Sequence, residues 1–247
     1  MVHRALFMAV MLGLSACGGG SSPSAPTPSP APAVTTVSVS INPSTDLLKI
    51  QGTETFTVTA TMSDGSSKSV SGTWASDASA IASIDASGKL TGHTAGQAGI
   101  SVTYDGARAT RSIRVVPDYQ GNWAGDYTVL SCQDSGDFTR EEWCESALED
   151  GVIRVTMALT QTRDAVGGTW AHDVMTGAAQ GTIETDGTLP LAGTGALSGV
   201  PMTITGWRSR STDNRSQTGK FTLAFTSTVW SGSAQATVEI RTCARGS

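Results

Sequence analysis

Few residues of this chain could carry out catalytic chemistry, and they are widely separated. Beyond residue 16 the only histidines are His93 and His172, and neither stands in a His-x-x-x-His metal spacing. No Gly-x-Ser-x-Gly nucleophile motif occurs. Adjacent carboxylates at 141–142 and 149–150 could act as a general acid and base, but such pairs are more often solvated loop residues. We therefore predict no catalytic, cofactor-binding or metal-binding residues, and a protein that is not an enzyme.

The four cysteines offer a different chemistry, that of lipid attachment and disulfide formation. Cys17 follows a start that contains His3 and Arg4 and then an apolar run from Ala5 to Leu14. A charged start, an apolar run and small residues before a cleavage site are typical of a signal peptide. The run is shorter than the roughly 20 residues that a membrane-spanning helix needs. We therefore predict that residues 1–16 are a signal peptide that is cleaved.

The residues around the predicted cleavage site, Leu14-Ser15-Ala16-Cys17, resemble the lipobox of bacterial lipoproteins. The resemblance implies that Cys17 carries covalent lipid, and that this lipid anchors the mature protein to a membrane. It further implies a location in the cell envelope, as an outer-membrane lipoprotein that faces the periplasm or the cell surface. Such a compartment is oxidising, so disulfides can persist there.

Residues 17–34 consist of the candidate lipidated cysteine followed by a Gly/Ser-rich and then a Pro-rich stretch. This composition has no apolar face to bury, so it predicts an extended linker. The whole chain has a net charge of −5, and only 15% of its residues are charged. Because it lacks a basic stripe that could neutralise phosphates, we expect no nucleic-acid partner.

Residues 35–117 contain short runs in which apolar and polar residues alternate, as at Val37, Val39 and Ile41. Turn signals such as Asp64-Gly65 and Asp105-Gly106 separate the runs. About seven short strands at this spacing predict a β-sandwich, and we expect Trp74 to fill its core.

The same segment resembles the bacterial Ig-like domain, group 2. Its landmarks are Val39-Ser40-Ile41-Asn42-Pro43, Gln51-Gly52-Thr53, Thr73-Trp74-Ala75-Ser76-Asp77, Ile81-Ala82-Ser83-Ile84-Asp85, Gly88-Lys89-Leu90-Thr91-Gly92 and Ala95–Val102. The resemblance implies an Ig-like sandwich of the kind found in bacterial surface proteins, including adhesins, with no catalytic residues. We interpret this domain as a spacer.

Residues 118–247 continue the alternation in longer runs, most clearly over 153–159. About eight consecutive strands joined mostly by short turns favour an antiparallel up-and-down barrel, because closure pairs every strand edge. The predicted fold is therefore all-β: an Ig-like β-sandwich followed by an antiparallel, roughly eight-stranded β-barrel-like domain.

Two resemblances concern this second domain. Gly121-Asn122-Trp123 is similar to the Gly-x-Trp start of lipocalin-like barrels. The domain also resembles an uncharacterised β-domain of bacterial surface lipoproteins, whose landmarks here include a Cys…Cys loop, Thr218-Gly219-Lys220-Phe221 and Ser231-Gly232-Ser233-Ala234. The second resemblance implies no particular ligand.

Barrel topology predicts how the remaining cysteines pair. The first strand ends at the rim where the second begins, so Cys132 and Cys144 should share that rim. Cys243 follows the last strand and should leave at the opposite rim, farther away than the Cα separation of about 7 Å that a disulfide tolerates. We therefore predict a Cys132–Cys144 disulfide, with Cys243 left over. The loop that this disulfide closes, called the clipped loop below, is acidic and could bind Ca²⁺. It matches no EF-hand spacing, however, and we expect it to be solvated. Its acidic residues are Asp134, Asp137, Glu141, Glu142 and Glu145.

These features favour surface binding or adhesion, with the Ig-like domain as a stalk and the barrel with its clipped loop as the binding part. The partner would be a glycan or a surface protein. Four tryptophans are candidates for contact with it, although each can also belong to the core: Trp143, Trp170, Trp207 and Trp230. The alternative is a small apolar-ligand carrier with a lipocalin-like interior. A filled interior would argue against the carrier, and a large open cavity would argue against a plain scaffold.

Overall fold

The computed structural model describes residues 31–172 and 175–246. The predicted signal peptide, Cys17 and the linker up to residue 30 lie outside the described residues. From Val34 onwards the described chain is one compact unit. It contains an Ig-like sandwich followed by a closed antiparallel barrel, as the sequence predicts.

The sandwich is built from ten short strands. They are β1 (Thr36–Asn42), β2 (Leu47–Lys49), β3 (Thr53–Thr55), β4 (Thr57–Met62), β5 (Ser67–Val70), β6 (Thr73–Ser76), β7 (Ala82–Ile84), β8 (Lys89–Gly92), β9 (Gly96–Tyr104) and β10 (Ala107–Val116). Three sheets result, in the orders β1-β4-β5, β2-β10-β9-β6 and β3-β8-β7.

The strand number exceeds the predicted seven because short runs change sheets within a few residues. Glu54 of β3 pairs with Leu90 of β8, whereas Val58 of β4 pairs with Ile41 of β1. Phe56 lies at this crossover and is 1% exposed, so its side chain joins the core while the backbone changes partners. Trp74 is partly buried and packs against this core, with its ring centroid 6.2 Å from that of Phe56.

The barrel closes from eight antiparallel strands, each paired with its chain neighbours, and the first strand pairs with the last. They are β11 (Gly121–Asp134), β12 (Val152–Thr162), β13 (Ala165–His172), β14 (Met175–Thr182), β15 (Thr188–Leu197), β16 (Val200–Arg210), β17 (Lys220–Ser227) and β18 (Ala234–Arg245). Along β12 the buried and exposed residues alternate, as the period-two pattern predicts.

The long connection between β11 and β12 contains helices that the sequence did not predict. It contains two short helices, α1 (Asp137–Arg140) and α2 (Trp143–Asp150), each with one buried residue, Phe138 or Cys144. Burial of these side chains against the barrel stabilises segments that would be too short to form helices alone. Within the described residues, no helix has the length and apolar character that crossing a membrane requires.

The position of Cys243 also differs from the prediction. It lies inside β18, opposite Gly125, whereas Cys132 lies opposite Ala236. The seven-residue offset between Ala236 and Cys243 along β18 corresponds to roughly 23 Å. Cys243 is therefore too far from Cys132 to form a disulfide with it, as predicted.

The segment that joins the two domains is buried rather than flexible. Val116 and Tyr119 have no exposed surface, and burial raises the pKa of the Tyr119 phenol above its usual value. The Tyr119 hydroxyl donates to the carbonyl oxygen of Gly187 at 2.8 Å and accepts from the backbone N–H of Ser211 at 3.0 Å. Tyr119 thereby ties the junction to two turns at one end of the barrel.

Ion pairs strengthen the same junction. They join Arg114 to Asp164 at 2.7 Å, Arg163 to Asp46 at 2.8 Å and Lys49 to Asp118 at 2.7 Å. The first two link the sandwich directly to the β12–β13 turn. The sandwich therefore covers one end of the barrel and leaves the other end free.

The chain enters the sandwich at the end away from the barrel. Arg111 in β10 donates to the carbonyl oxygen of Ile41 at 3.2 Å, and β2 pairs in parallel with the end of β10. The strands β1 and β2 therefore run toward the barrel, in the same direction as β10, which ends beside the barrel at Val116. Thr36, at the start of β1, lies at the distant end.

Candidate functional site

A cleft of about 550 Å³ at the free end of the barrel combines aromatic and charged side chains. Its position follows from β12, which begins at the cleft residue Val152 and ends beside the junction at Thr162. We call this cleft the barrel mouth. Six residues from both sides of the barrel and from α2 illustrate its lining: Tyr127, Trp143, Asp150, His172, Leu223 and Phe225.

The disulfide holds the helical segment over the mouth. Cys132 at the end of β11 is bonded to Cys144 in α2, with a Cα–Cα distance of 5.3 Å. The structure therefore contains the predicted Cys132–Cys144 disulfide. Asp134 adds to it, because its carboxylate accepts from the backbone N–H of Cys144 at 3.0 Å and from the Thr139 hydroxyl at 2.9 Å.

Asp137 fastens α1 to the loop between β17 and β18. Its carboxylate accepts from the backbone N–H of Ser231 at 2.7 Å and from the Ser231 hydroxyl at 2.8 Å. These hydrogen bonds, with the nearby Arg140, lower the pKa of the Asp137 carboxyl. Asp134 and Asp137 thus support the loop, although the sequence suggested only that they were solvated.

A cluster of aromatic rings forms one wall of the mouth. The Trp143 ring lies 5.1 Å from Phe225 and 5.4 Å from Phe138, measured between centroids. Trp230 meets Phe138 edge-on at 5.3 Å. Because Phe138 is fully buried beneath the two indoles, this wall is preorganised by packing.

Below the mouth, the barrel interior is almost filled. The residual cavity is about 50 Å³ and shares Tyr127, His172, Met175, Leu223 and Phe225 with the mouth. The rings of Tyr127 and His172 stack there with centroids 5.7 Å apart. Because pockets for small molecules usually measure roughly 300–1,000 Å³, the interior is a packed core with a small void.

The acidic character of the mouth comes from the helical segment. Residues 134–150 include seven carboxylates and one basic residue, Arg140. Of these carboxylates, Glu141 and Asp150 line the mouth itself. No group of three or more His, Cys, Asp or Glu side chains in the described part of the chain is arranged to hold a metal ion.

The four candidate tryptophans occupy different positions. Trp207 is 8% exposed inside the barrel core, with its ring 4.9 Å from Phe221. Trp170 is partly buried, and its indole N–H donates to the carbonyl oxygen of Ala178 at 3.2 Å. A Cβ at Gly195 would lie 2.9 Å from the Trp170 ring, so a glycine leaves room for that indole. Trp143 lines the mouth, and Trp230 packs against Trp143 and Phe138 next to it. Contact of either tryptophan with a ligand stays a prediction.

Sequence reasoning did not single out Tyr127, Phe138, Leu223 or Phe225 as residues of one site. Tyr127 lies in β11, whereas Leu223 and Phe225 lie in β17, and these two strands are far apart in the chain. Closure of the barrel sets both strands against β18, which brings these side chains around one opening. His93 lies in the sandwich, where its Nε2 is 2.7 Å from the Ser83 hydroxyl. It is therefore separate from the barrel mouth.

Comparison with known proteins identifies the first domain. Residues 33–113 match the family model described as Bacterial Ig-like domain (group 2). The predicted resemblance is confirmed for this segment. No curated protein matches the chain.

Among solved structures, the chain is similar to the surface-layer protein SbsC. Domains 5–6 of SbsC share 14% identity at a TM-score of 0.32, with 83% of this chain and 98% of that chain covered. Domains 4–9 share 12% identity at the same TM-score, with 83% and 31% covered. Likeness at this level carries no argument about the function of this chain.

Proposed function

We propose that this protein is an envelope-anchored surface lipoprotein that binds a partner at the barrel mouth, with the Ig-like domain as its stalk. In this proposal Cys17 carries the lipid, residues 17–34 form the linker, and the mouth is the binding part. The protein acts by recognition and not by catalysis.

The observation that carries the proposal is that the start of the chain and the barrel mouth lie at opposite ends of the folded unit. The chain enters at the far end of the sandwich, near Thr36, and the mouth opens at the opposite end of the barrel. The buried junction at Tyr119 and its ion pairs hold sandwich and barrel as one body. If the anchor is at the start of the chain, the mouth is therefore at the end of the folded unit that lies opposite the entry of the chain.

The carrier alternative is less compatible with this geometry. A lipocalin-like carrier needs interior space for its cargo, and the cavity below the mouth is only about 50 Å³. Met175, Trp207 and Phe225 lie among the buried side chains that occupy the rest. A ligand of ordinary size would therefore bind in the mouth, exposed on one side, rather than inside the barrel.

The binding part of the proposal is tested with the full-length protein purified in detergent and applied to glycan and matrix-protein arrays. Leu148 in α2 is 47% exposed beside the mouth, and Val37 in β1 is 63% exposed on the sandwich. We expect Leu148→Asp to abolish array binding and the matched variant Val37→Asp to retain it. Equal binding by both variants, or no binding by the parent protein, would overturn the proposal.

The anchoring part is tested separately. We expect Cys17→Ala to remove the protein from the membrane fraction of the cells that express it, because the lipid is its attachment. Retention of this variant in the membrane fraction, after washing with high salt, would contradict a lipid anchor at Cys17.

A further inference from the structure

The rim of the barrel mouth carries the exposed apolar residues of the barrel domain. Within the described residues after 118, the exposed large hydrophobic side chains are Leu130, Leu148, Val152 and Val229. All of them lie at the mouth end: near the end of β11, in α2, at the start of β12 and in the loop after β17. Among the described residues after 118, the sides of the barrel and the end next to the sandwich carry no exposed large hydrophobic side chain. Exposed apolar residues confined to one end indicate an interaction surface.

The same rim is negatively charged. Five exposed carboxylates of the helical segment lie at or near the mouth: Glu141, Glu142, Glu145, Glu149 and Asp150. None of the ion pairs formed within the described part of the chain involves them. The other two carboxylates of this segment, Asp134 and Asp137, already accept hydrogen bonds from within the protein. The five are therefore available to a positively charged partner.

From these two distributions we infer that the partner is a protein segment with an apolar side chain flanked by lysine or arginine. The apolar side chain enters the mouth and packs against the touching rings of Trp143 and Phe225, and the basic residues meet Glu141 and Asp150 at its edge. This inference rests on the proposed function and specifies the chemistry of its partner.

The apolar rim favours a protein partner over a small amphiphilic amine. A small ligand would be accommodated by the cleft of about 550 Å³ and would not touch side chains outside it. Leu130, Leu148 and Val229 become buried only if the occupant extends beyond the cleft. An anchor side chain in a pocket surrounded by a wider contact ring is the usual arrangement of protein interfaces.

The inference is tested with an array of heptapeptides that share a Gly-x-Gly centre. The central residue is Trp, Phe, Leu or Ala, and the two residues at each end are Lys, Ser or Glu. The probe is the full-length protein in detergent, and phenethylamine is added as a competitor. We expect the highest signal for aromatic centres with Lys ends, at least about fivefold above the Glu-ended and Ala-centred peptides.

Matched charge variants identify the residues responsible. Glu141→Gln with Asp150→Asn should weaken binding of the Lys-ended peptides by roughly three- to tenfold and flatten its salt dependence. Glu239→Gln, an exposed glutamate on the outer wall of β18, should leave binding unchanged. Because all the substituted side chains are exposed, folding should be unaffected, and circular dichroism verifies this.

Three results would overturn the inference. They are no binding anywhere on the peptide array, equal binding of Lys-ended and Glu-ended peptides, and complete competition by phenethylamine at low concentration, which would indicate a small amine ligand. If Leu148→Asp still abolishes binding on the glycan and matrix arrays, the proposed function stands and only the partner chemistry is wrong. If Leu148→Asp has no effect there, the proposed function itself fails.

Discussion

Arg114, in the last strand of the sandwich, is bonded directly to Asp164 in the β12–β13 turn of the barrel. Nη1 of Arg114 donates to a carboxylate oxygen of Asp164 at 2.7 Å, and Nη2 donates to the carbonyl oxygen of Ile183. The side chain of Arg114 is 27% exposed, so these charge-assisted bonds are partly shielded from water. One side chain thus connects the sandwich to two separate turns of the barrel.

Removing this connection should destabilise the folded unit. We expect Arg114→Ala to lower the free energy of unfolding by about 1–3 kcal/mol, because bonds to charged groups are lost and the Ile183 carbonyl loses a donor. Arg108→Ala, on the exposed face of the same strand, is the control and should cost less than about 0.5 kcal/mol. Urea unfolding at neutral pH measures both. Equal stability of the two variants would show that the Arg114 bonds contribute nothing.

The disulfide should stabilise the protein chiefly through the loop that it closes. For a loop of about 13 residues, the chain-entropy estimate is about 3 kcal/mol. We expect the double variant Cys132→Ser/Cys144→Ser to lose about that much in urea unfolding. A reducing agent should destabilise the parent protein similarly and leave the double variant unchanged. Mass mapping of the unreduced protein should find Cys132 linked to Cys144, and a bridge to Cys243 would contradict the structure.

The acid stability of the junction should depend on Asp118. Burial by itself raises the pKa of Asp118, but hydrogen bonds from Lys49 and Arg245 outweigh it and lower the pKa below the ordinary value. A carboxyl with a lowered folded pKa stabilises the fold above its unfolded pKa, about 3.9. That contribution is lost as the pH falls through the folded pKa.

Asp118→Asn tests this dependence. We expect the variant to be less stable than the parent by about 1–3 kcal/mol at pH 7, and the difference to shrink below about pH 4. Asp105→Asn, in the exposed turn between β9 and β10, is the control. Urea unfolding between pH 7 and pH 2.5 gives the comparison. A difference that does not change with pH would show that the carboxylate charge is irrelevant.

The thiol of Cys243 should be unreactive in the folded protein. Cys243 is 3% exposed, and burial raises its pKa to about 12, so almost no thiolate exists at pH 8. We expect a maleimide reagent to leave the peptide that contains Cys243 unlabelled in buffer and to label it in urea, as read by mass spectrometry. Rapid labelling of Cys243 without denaturant would contradict its burial.

Much of the fold could be predicted because the pattern that determines it is local. The alternation over 153–159 corresponds to buried and exposed residues of β12, and the turn signal at Asp105-Gly106 lies between β9 and β10. The disulfide was also predictable, since up-and-down topology assigns Cys132 and Cys144 to one rim. These inferences need only neighbours in the chain and a rule of strand order.

The helices α1 and α2 were not predictable in the same way. Their eight or fewer residues have little helical stability alone, and they form because Phe138 and Cys144 are buried against the barrel. The role of Asp137 was equally hidden, because its partner Ser231 is distant in the chain and reaches it only when β18 closes against β11.

The sequence by itself determined that this protein is all-β, has an Ig-like first domain and an eight-stranded second domain, and contains a clipped acidic loop. Those properties depend on residue periodicity and on spacing along the chain. Only the tertiary structure decided that the barrel interior is filled, that Trp143 and Phe225 share a mouth, and that the mouth opens away from the sandwich. These depend on how side chains from distant strands fill a common volume, and on which end of the barrel the buried junction covers.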